Sequence, residues 1–442
     1  MDTKKFNRWS ISVLSLLTFL SGLHPAAAQN FVLASSPQVG VGPWCVVAAD
    51  LNGGGKPDLI TANSGDGTLT VLTNSGAGVF GTNAIYPVGN TPLSVVAADV
   101  NNDGKLDLIA ANYSDSTLTV LTNNGDGTFT SASTNVVGSG PFSVIAANLN
   151  LDGKTDLISA NSGDNTLTVL TNNGYGIFGS NATYVVGTDP EQVQAVDVKG
   201  DGKLALISCN SADNSLTVLT NNGYGIFGSN ATYAVGSEPV SIAAADVNGD
   251  GKMDLIAANL FDSTLTVLTN NGYGVFGSNA TYNVGNYPQC VAAADINGDG
   301  KMDLITANDS QDGSGNTLSL LTNNGDGKFT SLGVLTVGTG SLFVTVADVN
   351  GDGAPDLISA NYGDGIFDGT VTVVLNMPAL NIRIANNSKA IVSWFPGWPG
   401  YQLQGRTNLA TGSWLNVSNP TGTNSVPISP AIGNQFFRLR HP

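Results

Sequence analysis

The sequence has almost no histidine: His24 and His441 are the two in 442 residues, and neither falls in the long middle of the chain. Serine–histidine–aspartate triads and histidine-ligated zinc sites both need an imidazole, so residues 29–378 are built around neither. Arginine is absent from the same stretch, which sets eight lysines against thirty-two acids, a balance of −24 within a whole-chain charge of −17. So acidic a body repels phosphate backbones, which argues against nucleic acid as a partner. Cysteine is scarce too. Cys45, Cys209 and Cys290 each stand in an apolar strand context, as small buried hydrophobes rather than a disulfide framework. Long apolar runs are confined to the start, where Lys4, Lys5 and Arg8 precede Ile11–Leu23 and then Ala26-Ala27-Ala28. That order reads as a secretory signal over 1–28, cleaved after Ala28, with an apolar run short for a membrane span. The expectation is a secreted, periplasmic or cell-surface protein.

What is present is repetition. A loop of the form D-x-N-x-D-G-x-x-D, followed by an apolar strand, begins at Asp50, Asp99, Asn148, Asp197, Asp246, Asp295 and Asp348. The first six copies are 49 residues apart and the last step is 53, a period that means a repeat architecture. Oxygen-bearing side chains at alternate positions, with a glycine after the third, suit a hard cation. Calcium takes six to eight oxygens, and three converging carboxylates repel one another unless a divalent ion neutralises them.

The copy around Asp246 reads as four strands. Ser241–Ala245 is short, small and apolar; the acidic loop Asp246–Asp254 follows; Leu255–Asn259 is a second strand; Thr264–Thr269 alternates threonine with aliphatics. Asn271-Gly272 signals a hairpin, and Val275–Val284 is a fourth strand. Four antiparallel strands per unit, repeated radially, predict an all-β, seven-bladed β-propeller over 29–377. The last copy stops after its third strand, Thr370–Asn376. Phe31, Val39, Gly40 and Pro43 fall in register with Phe276, Val284, Gly285 and Pro288, so the N-terminal strand is expected to complete the seventh blade and close the ring. Closure removes the sheet edges that an open stack leaves bare.

The F-G…D-x-[ND]-x-D-G-x-x-D-L pattern resembles the FG-GAP/VCBS repeats of integrin α-chain propellers and of many secreted bacterial proteins, over roughly residues 30–377. In that family the nine-residue loop joins the first two strands of a blade and binds calcium through positions one, three, five and nine and the carbonyl of position seven. Carried over, the resemblance implies complete sets at Asp99, Asn101, Asp103, Lys105 and Asp107; at Asp246, Asn248, Asp250, Lys252 and Asp254; at Asp295, Asn297, Asp299, Lys301 and Asp303; and at Asp348, Asn350, Asp352, Ala354 and Asp356. A weaker set is Asn148, Asn150, Asp152 and Asp156. Gly54 in the first loop, and Lys199 with Ala205 in the fourth, break the pattern. Four to five structural Ca2+ ions are therefore expected.

Three other features stand out. The second-to-third turns repeat N-x-x-D at Asn63/Asp66, Asn112/Asp115, Asn161/Asp164, Asn210/Asp213, Asn259/Asp262 and Asn361/Asp364, read first as Asx-turn chemistry. Tyr175, Tyr224 and Tyr273 sit at matching hairpin tips, alongside Asn-Ala-Thr sequons at Asn181, Asn230 and Asn279, in units whose near-identity reflects duplication. The turns Asp309–Asn316 and Tyr362–Gly369 are longer than their counterparts, and departures from a repeat are where function is grafted. Residues 378–442 shift in composition, with Trp394, Trp398 and Trp414, five basic residues and no acid, and read as a small β-sandwich-like domain. No catalytic constellation emerges, so the chain reads as a non-enzymatic binding or adhesion module for a glycan or an extracellular or cell-surface protein. The alternative is a polysaccharide-active hydrolase or lyase on the same scaffold, since paired carboxylates suffice for glycoside hydrolysis.

Overall fold

The computed structural model describes residues 31–377 apart from 77, 311 and 364–368, together with six C-terminal strands between 381 and 440. The signal segment, residues 1–28, lies outside the described residues.

The copy around Asp246 folds as strands Pro239–Ala245, Asp254–Asn259, Thr264–Asn270 and Phe276–Asn283, antiparallel and in chain order. The first strand begins two residues before the sequence pattern places it. Pro239 pairs with Asn259 and Ser241 with Ala258, leaving Val240 as an extra residue in a β-bulge. The second strand is buried at every position, and its alternation explains why. Leu255 and Ala257 enter the seam shared with the preceding blade, whereas Ile256 and Ala258 enter the seam with the next. A strand clamped between two blades has no solvated face, so its period-two pattern is apolar on both sides.

Seven four-stranded sheets of this kind form the ring. In the seventh, Phe31–Ser35 pairs antiparallel with Thr370–Asn376, with Phe31 opposite Asn376, so the N-terminal strand is the outer strand of the last blade as the sequence register requires. Val39 then packs with Val46 and Leu59 of the first blade and with Ile358 and Val371 of the last. Strand Pro43–Ala49 lies against Ser341–Ala347 as it lies against Pro92–Ala98, which closes the ring of inner strands.

Each seam carries one further device. The asparagine ending each third strand donates twice from its amide. Asn172 gives one bond to the Thr155 carbonyl of its own blade at 2.8 Å and one to the Val100 carbonyl of the preceding blade at 2.7 Å. Its oxygen accepts the amide of Gly174 at 2.9 Å. Asn123, Asn221, Asn270, Asn323 and Asn376 repeat the inter-blade bond. Asn74 makes it across the closure, to Val349 O at 2.8 Å.

The C-terminal part contributes two three-stranded antiparallel sheets. One joins Asn381–Ala385, Lys389–Ser393 and Ser425–Ile428; the other joins Leu415–Asn416, Gln402–Arg406 and Phe436–Arg440. The segments between these strands, with Trp394, Trp398 and Trp414, lie outside the described residues.

Candidate ligand-binding site

Antiparallel order puts the acidic loops and the third-to-fourth hairpins on one face of the ring. The second-to-third turns and the blade-to-blade connections lie on the other.

On the first face the loops are closed by their own backbone. Asp99 accepts the amides of Asp103 at 3.3 Å and Gly104 at 2.8 Å, Asn101 accepts Asp103 N at 2.9 Å, and Asp103 accepts Lys105 N at 3.0 Å. The Lys105 ammonium lies 3.8 Å from the second oxygen of Asp103. Gly104 takes a positive φ of 81° to turn the chain back. Asp107 points the other way: it is fully buried and receives Val100 N at 3.2 Å and Asn123 N at 2.8 Å. The loops at Asp246, Asp295 and Asp348 repeat the arrangement. Asn248, Asn297 and Asn350 hold the amides of Asp250, Asp299 and Asp352, and these carboxylates hold the amides of Lys252, Lys301 and Ala354. In the third loop Asn150 and Asp152 do the same, Asp156 is buried like Asp107, and Asn148 Oδ1 is buried with no hydrogen-bond partner.

This geometry corrects the expectation of four to five calcium ions. Among the described residues, no group of three or more His, Cys, Asp or Glu side chains is arranged to hold a metal ion. The reason lies in how the oxygens are used. The position-one and position-five carboxylates close the loop on its amides, a lysine stands beside position five in most copies, and the position-nine carboxylate turns inward as an internal strut. Desolvation raises the carboxyls of these struts: Asp303 and Asp356 are pushed up to about 7, and Asp58, Asp107, Asp156 and Asp254 upward, against the two backbone amides that each accepts.

On the opposite face, the N-x-x-D turns do more than cap themselves. Asp66, Asp115, Asp213 and Asp262 reach back to the preceding connection and accept the amides of Val41, Asn90, Thr188 and Ser237 at 2.6–2.7 Å; Asp164 does the same for Ser139. Asn112 is buried, donates to the hydroxyls of Thr117 and Thr119, and accepts Gly89 N at 3.0 Å. A Cβ on Gly89 would stand 2.5 Å from that asparagine side chain. These turns are structural clasps between connection and blade. Asp364 lies outside the described residues.

The bulges supply what the clasps do not. In every blade the first strand carries an unpaired residue just after its start: Trp44, Leu93, Phe142, Glu191, Val240, Gln289 and Leu342. A bulge re-aims the side chain it displaces from the ladder. All seven line one cavity of about 220 Å³ at the mouth of the central channel, with Gln192 and Gln194 among the residues beside them. Glu191 is the one charged residue lining it, half-buried and hydrogen-bonded by Ser211. Burial, and then the nearby carboxyls of Asp189 and Glu238, push Glu191 up to about 8. Trp44 meets Phe142 edge-on at 5.8 Å and Tyr362 at 6.1 Å, and Phe142 meets Tyr113 at 6.1 Å, so four aromatic rings run across the mouth. A second cavity of about 420 Å³ shares Trp44, Gln289 and Leu342 with the first and adds Tyr287, Asp309, Asp312 and Tyr362.

The structure thus gathers both long turns singled out by the sequence, Asp309–Asn316 and the start of Tyr362–Gly369, against Trp44. It places Tyr175, Tyr224 and Tyr273 elsewhere, on the loop face, each 79% exposed. The sequence reading missed Trp44, Phe142 and Glu191. The signal was there: the second and third strands are nearly invariant from copy to copy, but the second residue of the first strand is tryptophan, leucine, phenylalanine, glutamate, valine, glutamine and leucine in turn. The side chains of the sequon asparagines lie outside the described residues.

A family model described as an FG-GAP-like repeat matches residues 50–110, 99–159, 148–208, 197–257, 246–306 and 295–359. No curated protein matches this chain. The structure of BBS1N in complex with ARL6DN is similar at a TM-score of 0.57 and 12% identity, over 78% of this chain and 97% of that one. Virginiamycin B lyase from Staphylococcus aureus is similar at a TM-score of 0.53 and 12% identity, over 78% of this chain and 99% of that one. At such identities the likeness shows the propeller fold alone. Among the described residues no helix is long and apolar enough to cross a membrane.

Proposed function

This chain belongs to the FG-GAP-like repeat family, and from that premise we propose that it is a secreted binding module whose ligand, a glycan, enters the channel mouth opposite the acidic loops. Secretion rests on the basic, apolar and small-residue order of residues 1–28. The observation that carries the binding reading is the set of seven bulges. The repeat spends its shared residues on a fixed frame, and directs a position that varies from copy to copy, seven times, into a single cavity. Ligand sites are concave, largely apolar, and carry a few convergent polar groups. Here Trp44 and Phe142 supply aromatic surface, Glu191 and Gln289 supply polar atoms, and the adjoining cavity with Tyr287 and Tyr362 lengthens the site. Aromatic rings beside carboxyl and amide groups suit the apolar faces and hydroxyl edges of sugars.

The alternative, a polysaccharide hydrolase or lyase, needs a second carboxylate facing the first across the bond to be cut. Among the described residues Glu191 is the one carboxyl-bearing residue lining the first cavity, and Asp309 and Asp312 line the adjoining one, so the first cavity does not itself hold such a pair. A glycan array tests the reading with wild-type protein, Trp44→Ala and the triple Tyr175→Ala, Tyr224→Ala, Tyr273→Ala variant. Glycans retained by wild type should be lost by Trp44→Ala and kept by the triple variant. The reverse pattern moves the site to the hairpin tips, and no retained glycan on any array rejects the glycan reading.

A further inference from the structure

We propose that the channel mouth selects a glycan whose sugars carry free, protonated amines, with Glu191 as the counter-ion of the ammonium group and Trp44 as the ring it packs against. This rests on the glycan-binding reading above and names the ligand class.

The first ground is a missing partner. A carboxyl group taken out of water is costly unless a cation or sufficient hydrogen bonds compensate. Glu191 has the Ser211 hydroxyl, and the charged groups that bear on it are the carboxyls of Asp189 and Glu238, of its own sign. Among the described residues of the propeller, no lysine or arginine lies on that side. Of the eight lysines in 29–378, seven stand in the first-to-second loops and Lys328 stands in a third-to-fourth hairpin, all on the opposite face, and arginine is absent from this stretch. Five of those lysines pair with loop aspartates, and Lys105 and Lys301 reach hairpin carbonyls at 3.2 and 2.7 Å. Glu191 meets its burial by holding a proton up to about 8, and a ligand that brings a positive charge is the one that would let it ionise in place.

The second ground is the field of the whole face. Asp66, Asp115, Asp213 and Asp262 stand in its turns, and Asp309 and Asp312 border the adjoining cavity. A concave mouth rimmed by one sign of charge raises the local concentration of the other sign and speeds its arrival. The third is chemical. An ammonium group near an aromatic face is attracted by the ring quadrupole, most strongly at tryptophan, and Trp44 lines both cavities. The second cavity of about 420 Å³, which shares Trp44, Gln289 and Leu342 with the first, gives room for a chain of rings beyond a single side chain inserted in the channel. Acetylation deletes the charge and leaves the sugar, so the free amine is the feature being read.

The test is isothermal titration of the full chain, in low-salt buffer near neutral pH, where an arriving ammonium group lets Glu191 release its proton to the buffer, with a β-1,4-linked glucosamine tetramer and its fully N-acetylated counterpart. The amine form should bind about tenfold or more tightly than the acetylated one. Glu191→Gln, which keeps shape and hydrogen bonding, should erase that preference while leaving weak binding. The comparison of the two sugars on wild type needs no variant and so stands even if the substitution perturbs folding. Equal affinity for both tetramers, or a preference kept in Glu191→Gln, overturns the inference and leaves the glycan reading standing. A lysine tetrapeptide that binds more tightly than the amine sugar also overturns it, in favour of a peptide receptor. Failure of both tetramers overturns the inference, and the array result then decides whether the glycan reading falls with it.

Discussion

The residues of this repeat divide into those that every copy needs and those that it is free to vary. Asp107 belongs to the first group. It holds two backbone amides at a fully buried position, and its neighbour Asp103 closes an exposed loop. Asp107→Ala leaves both amides without their carboxylate, at about 1–3 kcal/mol each, so its urea-unfolding stability should fall by about 2–4 kcal/mol. Asp103→Ala should cost about 1 kcal/mol or less. Equal losses would mean that the strut role is wrong. Glu191 belongs to the second group and titrates in a useful range. A glutamate in an unfolded chain has a pKa of about 4.3, whereas the folded protein holds that of Glu191 up to about 8. Between these values the folded state keeps a proton that the unfolded state has released. The stabilisation is complete below the unfolded pKa and is lost as pH rises through about 8. Urea midpoints should therefore fall from about pH 4.3 to about 8 more steeply in wild type than in Glu191→Gln, with no further difference in slope above that range. Parallel profiles would contradict the assignment.

The strands and turns were legible because each is a local physical pattern seen seven times over. Thr264–Thr269 alternates as a third strand must, Asn271-Gly272 sits where a hairpin turns, and the structure extends the strand by one residue to Asn270. What was not legible is what crosses between elements. The sequence shows T-N-N-G and explains it as a turn; the structure adds that the first asparagine is an inter-blade clasp, because its partner lies 72 residues earlier in the chain. The bulge hides for a similar reason. A proline followed by one odd residue looks like noise in the first strand until pairing shows that residue displaced from the ladder. The acidic loops erred in the other direction. Their spacing suits an ion, but a loop that can satisfy its carboxylates with its own amides has a second solution, and side-chain spacing alone does not choose between the two. Asn172→Ala tests the clasp. Losing one bond across the seam to Val100 and one within the blade to Thr155 should lower stability by about 1–3 kcal/mol, whereas Asn173→Ala, one residue on at the exposed hairpin, should cost less. The opposite order would contradict the clasp.

At the scale of the molecule, the propeller is a ring latched by its first strand, with a structural face and a variable one. Deleting residues 29–39 would bare the edge of Thr370–Asn376 and remove Val39 from the seam between first and last blades. Such a chain should melt well below the full protein and self-associate through the open edge, as light scattering during a thermal ramp would record. An unchanged, monomeric melt would mean that the latch is dispensable. The division of the two faces is the larger claim: a constant frame carries seven re-aimed side chains to one mouth, and that mouth is where ligand binds. The most direct measurement is the crystal structure of the full chain with a glycan that it retains on the array. That glycan should lie between Trp44, Glu191 and Gln289, on the face opposite the acidic loops. A glycan seated on Tyr175, Tyr224 or Tyr273, or in a seam away from the bulges, would contradict it.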